Sequence, residues 1–415
     1  AKRFLAATQA RGGGGTHQSR GERDAYAAHY ANLISSLEGV EDRLVFGRMD
    51  SGADAAAEQG PARSDPVAGS GRRHYVGRTG LQDAQHREVV LDWRAPLARA
   101  FYQATASDPM GIVRRRHIQT RARTVLGVED ELIARGFGRD TVIVALGGGV
   151  VTDLAGFVAA TFTRGVPYVS LTTTLLGAAD AAIGGKTAVD TPAATNLIGA
   201  FHQPAAVFID LDRWLTLSDR QIREGLGETV KHACIADARF FEALEDAFVE
   251  RGLSPVEFVR DDALAELTAR RNCEIKRDFV TSDVHEGNRR MGLNLGHTIG
   301  RALETAAGYT LNHGECVAIG LALQSRLGER LGYCSPSDVA RIEALLSAIG
   351  LPTKIPEDVP VDRIMEAMAH DKKGKAGAIR FVFQDGVGRL VVHDGGSYAR
   401  PVAAEDVRAF LQSQV

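Results

Sequence analysis

The segment TVIVALGGGVVTDLAGFVAATF, at residues 141–162, constrains the fold of this chain more than any other. A short run rich in β-branched residues leads into three glycines, and a long apolar stretch follows. This order predicts a buried strand, a tight turn and a helix, the opening of a nucleotide-binding unit. Glycines at such a turn let a phosphate approach the N-terminus of the helix. The segments VPYVSLT and AVFIDLD predict two further strands.

Beyond Asp212 the sequence changes to helical periodicity. Segments such as RQIREGLGETVKHACI, HTIGRALETAA and ECVAIGLALQSRLGERLG repeat apolar residues at intervals of three and four. An α/β segment is therefore followed by an all-helical one, and no internal repeat is evident.

The N-terminal part has a different character. Residues 1–50 predict helix interrupted at Gly12–Gly15, with an apolar stripe at Tyr26, Tyr30, Leu33 and Leu37. Residues 51–72 are rich in Gly, Ala, Ser and Pro and predict a linker. The segments HYVGR and EVVLDWRAP then predict strands.

Composition limits the function classes. With 415 residues and a formal net charge of -3, the chain is expected to form two or three globular domains without a basic surface for nucleic acid. We expect no membrane span, because no run of about 18 apolar residues occurs, and no signal peptide is recognisable. The four cysteines form no CxxC pair, which favours a reducing, cytoplasmic location.

Three side chains suit a metal ion: Glu228, His297 and His313. One carboxylate and two imidazoles, with a coordination position left open, are typical of a catalytic zinc site. The histidines lie in NLGHTIG and LNHGECV, each beside a glycine. A single histidine is more often structural than ligating, and it is the pair in these contexts that favours a metal site.

Cations suited to anionic substrate groups recur in the same part of the chain, namely Lys186, Lys231, Lys276, Arg290 and the pair Lys372–Lys373. Glu228 and Lys231 are three positions apart on one predicted helix, so both can face one cavity. Taken singly, each cation is more simply a surface charge.

Residues 132–415 resemble the 3-dehydroquinate synthases, which are NAD- and metal-dependent sugar-phosphate cyclases of the shikimate pathway. The resemblance is carried by ordered motifs: GGGVVTDLAGF, TRGVPYV, TTTLL, AADAAIGGKTAVD, NLIGAFHQP, GLGETVKH, CEIKRDF, RMGLNLGHT, NHGECVAIGLAL and AHDKKGKAG. Within the superfamily, IGGKTAVDTP and NLIGAFHQP are most similar to true dehydroquinate synthases. Cyclases that form inosose or valiolone rings are the alternative.

The resemblance implies a role for each matching residue. Glu228, His297 and His313 match ligands of zinc or cobalt. The positions that contact the cofactor in the family correspond here to Gly148, Gly149, Val150, Asp153, Thr173, Thr174, Leu176 and Thr216. Substrate contacts match Asp180, Lys186, Asn196, Lys231, Lys276, Arg290, Asn294 and one lysine of the later pair, assigned as Lys372. Arg164 matches an arginine that reaches the neighbouring subunit's site, so a homodimer is expected.

The implied reaction converts 3-deoxy-arabino-heptulosonate 7-phosphate to 3-dehydroquinate and phosphate. NAD is expected to accept and return a hydride, and the metal to polarise oxygen atoms. Lysine and arginine side chains suit the carboxylate and phosphate of this substrate.

Three positions depart from the family's motifs. Thr195 stands where the family has a lysine, Arg301 replaces a histidine of GHTxGHA, and Thr172 replaces a proline. Arg301 still offers donors to a phosphate, but it cannot serve as a neutral base.

Residues 1–131 lack the strand–helix units that hold the adenosine half of NAD in the family. They instead resemble the N-terminal part of HelD-type superfamily 1 helicases, which act on RNA polymerase, through DWRAP and FYQATASDPMG. No GxxxxGK[ST] phosphate loop occurs, so no ATPase is assigned. The expected junction lies at residues 131–136.

The predicted organisation is therefore α/β followed by all-α. A separate helicase-like α+β segment is expected at residues 1–131, a partial Rossmann-like NAD domain at residues 132–212, and a helical metal- and substrate-binding domain at residues 213–415. The alternative to an enzyme is a non-catalytic fusion of a truncated cyclase with a segment that contacts RNA polymerase.

Overall fold

The structure is a computed structural model that describes residues 4–7, 43–48, 75–76, 122–190, 196–370 and 377–415. The chain divides into two compact units. The first unit comprises Ala1–Thr173 and Gly185–Asp212, and the second comprises Thr174–Gly184 and Arg213–Val415. Each unit has a hydrophobic core of its own.

The first unit is built on a six-stranded sheet with the strand order β2-β4-β5-β8-β1-β3. The strands of this unit are β1 (Phe4–Ala7), β2 (Arg43–Arg48), β3 (Tyr75–Val76), β4 (Thr141–Gly147), β5 (Tyr168–Thr172), β6 (Lys186–Val189), β7 (Ile198–Phe201) and β8 (Ala206–Asp210). Strands β4, β5 and β8 are parallel, with Val144 opposite Val169 and Leu171 opposite Phe208. Strands β6 and β7 form a separate antiparallel pair.

The predicted strand–turn–helix is confirmed. Strand β4, which is parallel to β5 and antiparallel to β2, is buried along its whole length. Helix α2 (Gly149–Thr161) follows the glycine turn and packs with α1 (Ala122–Ala134) in the core of this unit. The strands predicted from VPYVSLT and AVFIDLD are β5 and β8.

The prediction of helix across residues 1–50 is wrong at two segments. Phe4–Ala7 and Arg43–Arg48 are strands, which pair antiparallel with β8 and β4 respectively. The second contains Val45 and Phe46, which favour strands, and pairing satisfies backbone groups that the partner strands would otherwise leave open. The strand predicted from HYVGR is confirmed at Tyr75–Val76. The apolar stripe, the linker and EVVLDWRAP lie outside the described residues.

The second unit is mainly helical, as predicted. Its helices are α3 (Asp219–Ala236), α4 (Ala238–Glu245), α5 (Pro255–Arg260), α6 (Asp262–Ser282), α7 (His297–Ala306), α8 (His313–Arg330), α9 (Pro336–Ile349), α10 (Val361–His370) and α11 (Ala404–Gln412). Capping boxes begin α3, α5, α8 and α9, where an N-cap side chain and the N3 side chain bond each other's backbone.

Two short antiparallel strands, β9 (Ala378–Phe381) and β10 (Arg400–Ala403), complete the second unit. Their apolar residues join a core formed with α7, α8, α10 and α11. Among the described residues, no helix is both long enough and apolar enough to cross a membrane.

Candidate metal centre and substrate site

The three predicted metal ligands come together in the second unit. Glu228 lies within α3, His297 is the first residue of α7, and His313 is the first residue of α8. The Nε2 atoms of both histidines lie 3.2 Å from the same Glu228 oxygen, Oε1. One ligand atom from each residue lies within 4.8 Å of the other two. The residues therefore converge on one point, although they are far apart in sequence.

The donor set fits a tetrahedral metal ion. In a zinc site with bonds of about 2.0–2.1 Å, neighbouring ligand atoms are about 3.3 Å apart. The two 3.2 Å separations of Glu228 from His297 and His313 have this length. The carboxylate is fully buried, and a buried charge requires compensation.

Glycines explain how the helices bring these ligands together. A Cβ on Gly314, next to His313, would lie 2.0 Å from the Glu224 carbonyl oxygen of α3. Gly296, the N-cap of α7, has φ +77°, and a Cβ there would lie 3.0–3.2 Å from backbone atoms of α8. The glycines beside the predicted ligands thus allow close backbone approach and a left-handed conformation.

Electrostatics keep the carboxylate ionised. Burial alone would raise the pKa of Glu228, but Lys231 and the two histidines lower it well below its ordinary value. Burial lowers the pKa of His297 to about 4. Burial also lowers the pKa of His313, but hydrogen bonds to Glu228 and Glu304 more than reverse this and raise it to about 10. A divalent ion would displace the His313 proton, because only a deprotonated nitrogen ligates.

Further contacts fix the three side chains. Lys231 Nζ lies 2.6 Å from the second Glu228 oxygen, Oε2. The His297 Nδ1 lies 3.2 Å from the carbonyl oxygen of Leu295, and the His313 Nδ1 lies 3.2 Å from Glu304 Oε2. In both imidazoles the Nε2 atom is the one directed to Glu228.

Asp180 and Lys276 form a second predicted pair in this unit. Asp180 lies in the π-helical turn Gly177–Ala181, and its Oδ1 lies 2.6 Å from Lys276 Nζ on α6. Burial would raise the pKa of Asp180, but Lys276 lowers it below its ordinary value. Burial lowers the pKa of Lys276, opposed by Asp180. One ligand atom each of Asp180, Glu228 and His232 lies within 4.8 Å of the other two, so the pair lies beside the predicted metal ligand Glu228.

The predicted substrate residues Arg290 and Asn294 already have partners. The Arg290 guanidinium donates to the carbonyl oxygens of Val284 and Gly184, each at 2.7 Å. Asn294 Nδ2 donates to Glu286 Oε1 at 2.7 Å. The loop before α7 therefore orients Asn294, and this loop together with Gly184 orients Arg290.

Arg301 lies one turn along α7 from His297, with an exposed side chain. Its charge contributes to lowering the pKa of His297, after burial and alongside Lys231. An exposed guanidinium therefore lies one helical turn from the predicted ligand His297, at the position where the resemblance implies a histidine.

In the first unit, the glycine turn has the features of an anion site. Gly148 is the N-cap of α2 and offers no capping side chain, and the first turn of the helix contains no acidic residue. Thr173 donates its N–H to the Gly147 carbonyl at 3.0 Å. The predicted cofactor residues Gly149, Val150 and Asp153 occupy the first turns of α2. The backbone N–H groups at the N-terminus of α2 suit a phosphate.

The predicted residues of the β6–β7 pair are separated. Lys186 begins β6 opposite Phe201, whereas Asn196 lies beyond the other end of the pair, where Val189 faces Ile198. Lys186 and Asn196 are both exposed. Asn196 has φ +52°, and its N–H is held by Asp190 Oδ1 at 2.9 Å. Within this unit, the two side chains start from opposite ends of the hairpin.

Arg164 is also exposed, in a turn where Thr163, Arg164 and Gly165 all have positive φ.

Thr172 is buried in β5, and its hydroxyl donates to the Phe208 carbonyl at 3.4 Å. A hydroxyl thus takes the place of the family's proline.

Three predicted cofactor residues belong to the second unit. Thr174 Oγ1 accepts from the Gly177 N–H at 3.0 Å, Thr216 Oγ1 donates to the Arg213 carbonyl at 2.8 Å, and Leu176 is half-buried. Lys372 and Lys373 lie outside the described residues, as does Thr195.

Sequence reasoning missed His232, which lies four residues after Glu228 on the same face of α3. Its Nδ1 bonds Asn272 Oδ1 at 2.9 Å, and Asn272 Nδ2 donates to Thr229 Oγ1 at 2.9 Å. Burial, followed by Lys231, lowers the pKa of His232 to about 3. The i, i+4 spacing from Glu228 was the available signal. Glu304 was also missed, although it lies seven residues after His297 on α7.

Two family models match consecutive parts of the chain. The family model "3-dehydroquinate synthase C-terminal" matches residues 225–374, and the model "3-dehydroquinate synthase N-terminal" matches residues 112–224. The 3-dehydroquinate synthase of Pelobacter propionicus is 47% identical over 272 residues, which cover 65% of this chain and 74% of the relative. The chain belongs to the 3-dehydroquinate synthase family.

Two solved structures share the fold of this 3-dehydroquinate synthase family member. A 2-deoxy-scyllo-inosose synthase complexed with carbaglucose-6-phosphate, NAD+ and Co2+ has a TM-score of 0.65 and 26% identity, covering 72% of this chain and 81% of that one. A 2-epi-5-epi-valiolone synthase from Streptomyces hygroscopicus subsp. jinggangensis, with NAD+ and Zn2+ bound, has a TM-score of 0.64 and 29% identity, covering 72% and 80%.

The helicase-like resemblance is confirmed as well. The family model "DNA helicase IV HelD, N-terminal domain" matches residues 1–142. This match ends at residue 142 and the synthase match begins at residue 112, so the expected junction lies where the two overlap.

Proposed function

We propose that this chain is a 3-dehydroquinate synthase that converts 3-deoxy-arabino-heptulosonate 7-phosphate to 3-dehydroquinate and phosphate. The observation that carries the proposal is the convergence of buried Glu228 and His297 with half-buried His313 in a member of this family. The site supplies one carboxylate, two imidazoles and neighbouring cations, which are the groups that a metal-assisted reaction on an anionic sugar requires.

Two groups from outside the chain complete the reaction. Glu228, His297 and His313 would hold Zn2+ or Co2+, which supplies Lewis acidity toward hydroxyl and carbonyl oxygens. NAD supplies a reversible hydride acceptor, and the residues that would hold it are Gly148, Gly149, Val150, Asp153, Thr173, Thr174, Leu176 and Thr216.

The chain's cations bind and orient the substrate. Lys231 is held against Glu228, and Lys276 against Asp180, so both ammonium groups have fixed positions before substrate arrives. Arg290 and Asn294 are likewise preset by their loop contacts. We assign these side chains, together with Lys186, Asn196 and Lys372, to the carboxylate, hydroxyl and phosphate groups of the substrate.

Arg301 changes one role within the site. The family's histidine at this position can be neutral, whereas a guanidinium stays charged. In this chain Arg301 therefore donates hydrogen bonds to an anionic group and takes no proton. Any proton transfer that needs a neutral imidazole there must use another group.

The assembly around the site is also part of the proposal. The chain divides functionally into a helicase-like segment (1–131), an NAD-binding segment (132–212) and a metal- and substrate-binding segment (213–415). Arg164 serves the site of a second copy in a homodimer.

None of the four cysteines forms a disulfide, which supports a reducing, cytoplasmic location. Residues 1–131 are the part that would contact RNA polymerase.

A second candidate is another cyclase activity. The two solved structures named for inosose and valiolone synthases share the fold, at 26% and 29% identity. The much higher identity of 47% with a 3-dehydroquinate synthase favours the first proposal.

The test is turnover by the full chain loaded with Zn2+ or Co2+ and supplied with NAD. Phosphate release and the mass of the carbocyclic product are measured with 3-deoxy-arabino-heptulosonate 7-phosphate, glucose 6-phosphate and sedoheptulose 7-phosphate. We expect turnover only with the first substrate, and loss of turnover in His297→Ala. Turnover with another substrate supports the alternative cyclases. No turnover with any of them supports a non-catalytic fusion and overturns the proposal.

A further inference from the structure

The two metal-site histidines are oriented by different kinds of acceptor. His297 directs Nδ1 to the carbonyl oxygen of Leu295, a backbone group two residues before it. His313 directs Nδ1 to the carboxylate of Glu304, nine residues before it and on another helix. The first acceptor is present whatever the side chains are, whereas the second depends on one glutamate.

Hydrogen-bond chemistry fixes the tautomer of a metal-bound His313. A carboxylate only accepts, so the Nδ1 that faces Glu304 carries a hydrogen. A neutral ring then has its lone pair on Nε2, the atom 3.2 Å from Glu228 Oε1. This is the nitrogen that can bind a metal beside Glu228 and His297. The opposite tautomer would turn a hydrogen toward the metal position.

Packing gives Glu304 little freedom to leave this position. It lies on α7, seven residues after His297, so both side chains lie on one face of that helix. A Cβ on Gly300, between them, would lie 2.7 Å from the Cys316 carbonyl of α8. Helices α7 and α8 are therefore in close backbone contact there. The Glu304 side chain is 18% exposed.

His313 itself is fixed at the start of α8. The preceding residue, Asn312, donates its N–H to Glu315 Oε2 at 2.7 Å within a capping box. Glu315 is held in turn by Arg220 of α3, at 2.7 Å. The backbone position of His313 is thus determined separately from its ring, whose orientation depends on Glu228 and Glu304.

We infer that Glu304 is a positioning residue of the metal centre: it accepts the Nδ1–H of His313 and so presents the Nε2 lone pair to the metal. The inference rests on the metal site of the proposed function. Glu304 itself does not bind the metal, and it sets how tightly His313 does. Such carboxylate–histidine–metal arrangements orient the ring and raise the basicity of the ligand.

The experiment compares Zn2+ affinity in the wild-type chain, Glu304→Ala, Glu304→Gln and the control Glu366→Gln, which alters an exposed glutamate of α10. Metal-free protein is titrated against a chromophoric chelator, and the visible spectrum of the Co2+ form is recorded. Circular dichroism of each metal-free protein checks folding. We expect Glu304→Ala to weaken Zn2+ binding by about 10–100-fold and to change the Co2+ spectrum.

Glu304→Gln keeps a neutral acceptor, so its affinity should lie between those of Glu304→Ala and the wild type. Glu366→Gln should match the wild type. An affinity of folded Glu304→Ala within about twofold of the wild type, with the same Co2+ spectrum, would overturn the inference. If the wild type binds metal but shows no turnover, the proposed function fails while these affinities still decide the role of Glu304.

Discussion

The helical unit and the α/β unit hold their predicted functional residues in different ways. In the helical unit, Glu228, Lys231 and Lys276 are buried and paired with one another or with close neighbours. In the α/β unit, Lys186 and Asn196 are exposed at opposite ends of a hairpin. Packing within the helical unit therefore buries and pairs the predicted metal-site groups, whereas the hairpin holds its predicted substrate residues at the surface.

The largest effect of a single substitution is expected in the helical unit. Glu228→Gln leaves the Lys231 ammonium buried without its counter-charge. Removing one partner of a buried ion pair costs about 3–5 kcal/mol. Urea unfolding of metal-free protein should show a loss of stability of this size, and Zn2+ binding should disappear. An equal loss in the exposed control Glu366→Gln, or a loss below about 1 kcal/mol in Glu228→Gln, would show that the pair is not preorganised.

The next effect concerns the cofactor. The sequence of residues 1–131 lacks the segments that hold the adenosine half of NAD in the family. Two or three lost hydrogen bonds at about 1–1.5 kcal/mol each should weaken NAD binding by roughly one to three powers of ten. Calorimetric titration of the metal-loaded chain beside a complete homologue measures this. Equal affinities would mean that residues 1–131 rebuild the adenosine contacts.

A smaller effect should follow from filling a close helix approach. Gly314→Ala places a Cβ 2.0 Å from the Glu224 carbonyl oxygen, so α8 must move from α3 next to His313. Overpacking of this kind costs about 1–3 kcal/mol. Gly127→Ala is the matched control, because no atom lies within 4 Å of its Cβ and it lies inside α1. Thermal unfolding should show destabilisation in the first variant and a slight gain in the second.

The smallest effect is expected in the pH dependence of the free energy of unfolding, through the loop before α7. The Asp283 carboxylate accepts hydrogen bonds from the backbone N–H groups of Gly287, Asn288 and Arg290. Burial alone would raise the pKa of this carboxyl, but the hydrogen bonds lower it below its ordinary value. A carboxyl whose pKa is lower in the folded than in the unfolded protein stabilises the fold at a pH above its unfolded-state pKa, which is near 4. This stabilisation is lost as the pH falls through the folded-state pKa. Between pH 5 and 3, Asp283→Asn should therefore lose less stability than the wild type. Parallel losses would rule out this carboxylate as a source of acid sensitivity.

The sequence predicted the parts of the fold and site that local pattern determines. The glycine turn at residues 147–149 and strands β5 and β8 follow from β-branched runs beside turn residues. The histidines of the predicted triad were marked by NLGH and NHGE, where each stands beside a glycine, and Glu228 by GLGETVKH. Local helical pattern failed at Arg43–Arg48, which is a strand because it pairs with β4, about 100 residues away.

The rest depends on tertiary contacts that local pattern does not encode. The bond from Asn272 to His232 joins residues 40 positions apart, and the bond from Glu304 to His313 joins two helices. Gln324 on α8 likewise accepts the Gly296 N–H at 3.2 Å and fixes the residue before His297. None of these partners has a distinctive local motif, so only the packing of the helices identifies them.

X-ray absorption at the zinc edge is the most direct test of Glu228, His297 and His313 as metal ligands. We predict one tightly bound metal per chain, with two imidazole nitrogens and at least one oxygen at about 2.0–2.2 Å. In His297→Ala one imidazole should be missing, while Glu366→Gln should give the wild-type spectrum. A wild-type chain that binds no metal after reconstitution, or whose zinc has no imidazole ligand, would contradict the assignment of Glu228, His297 and His313.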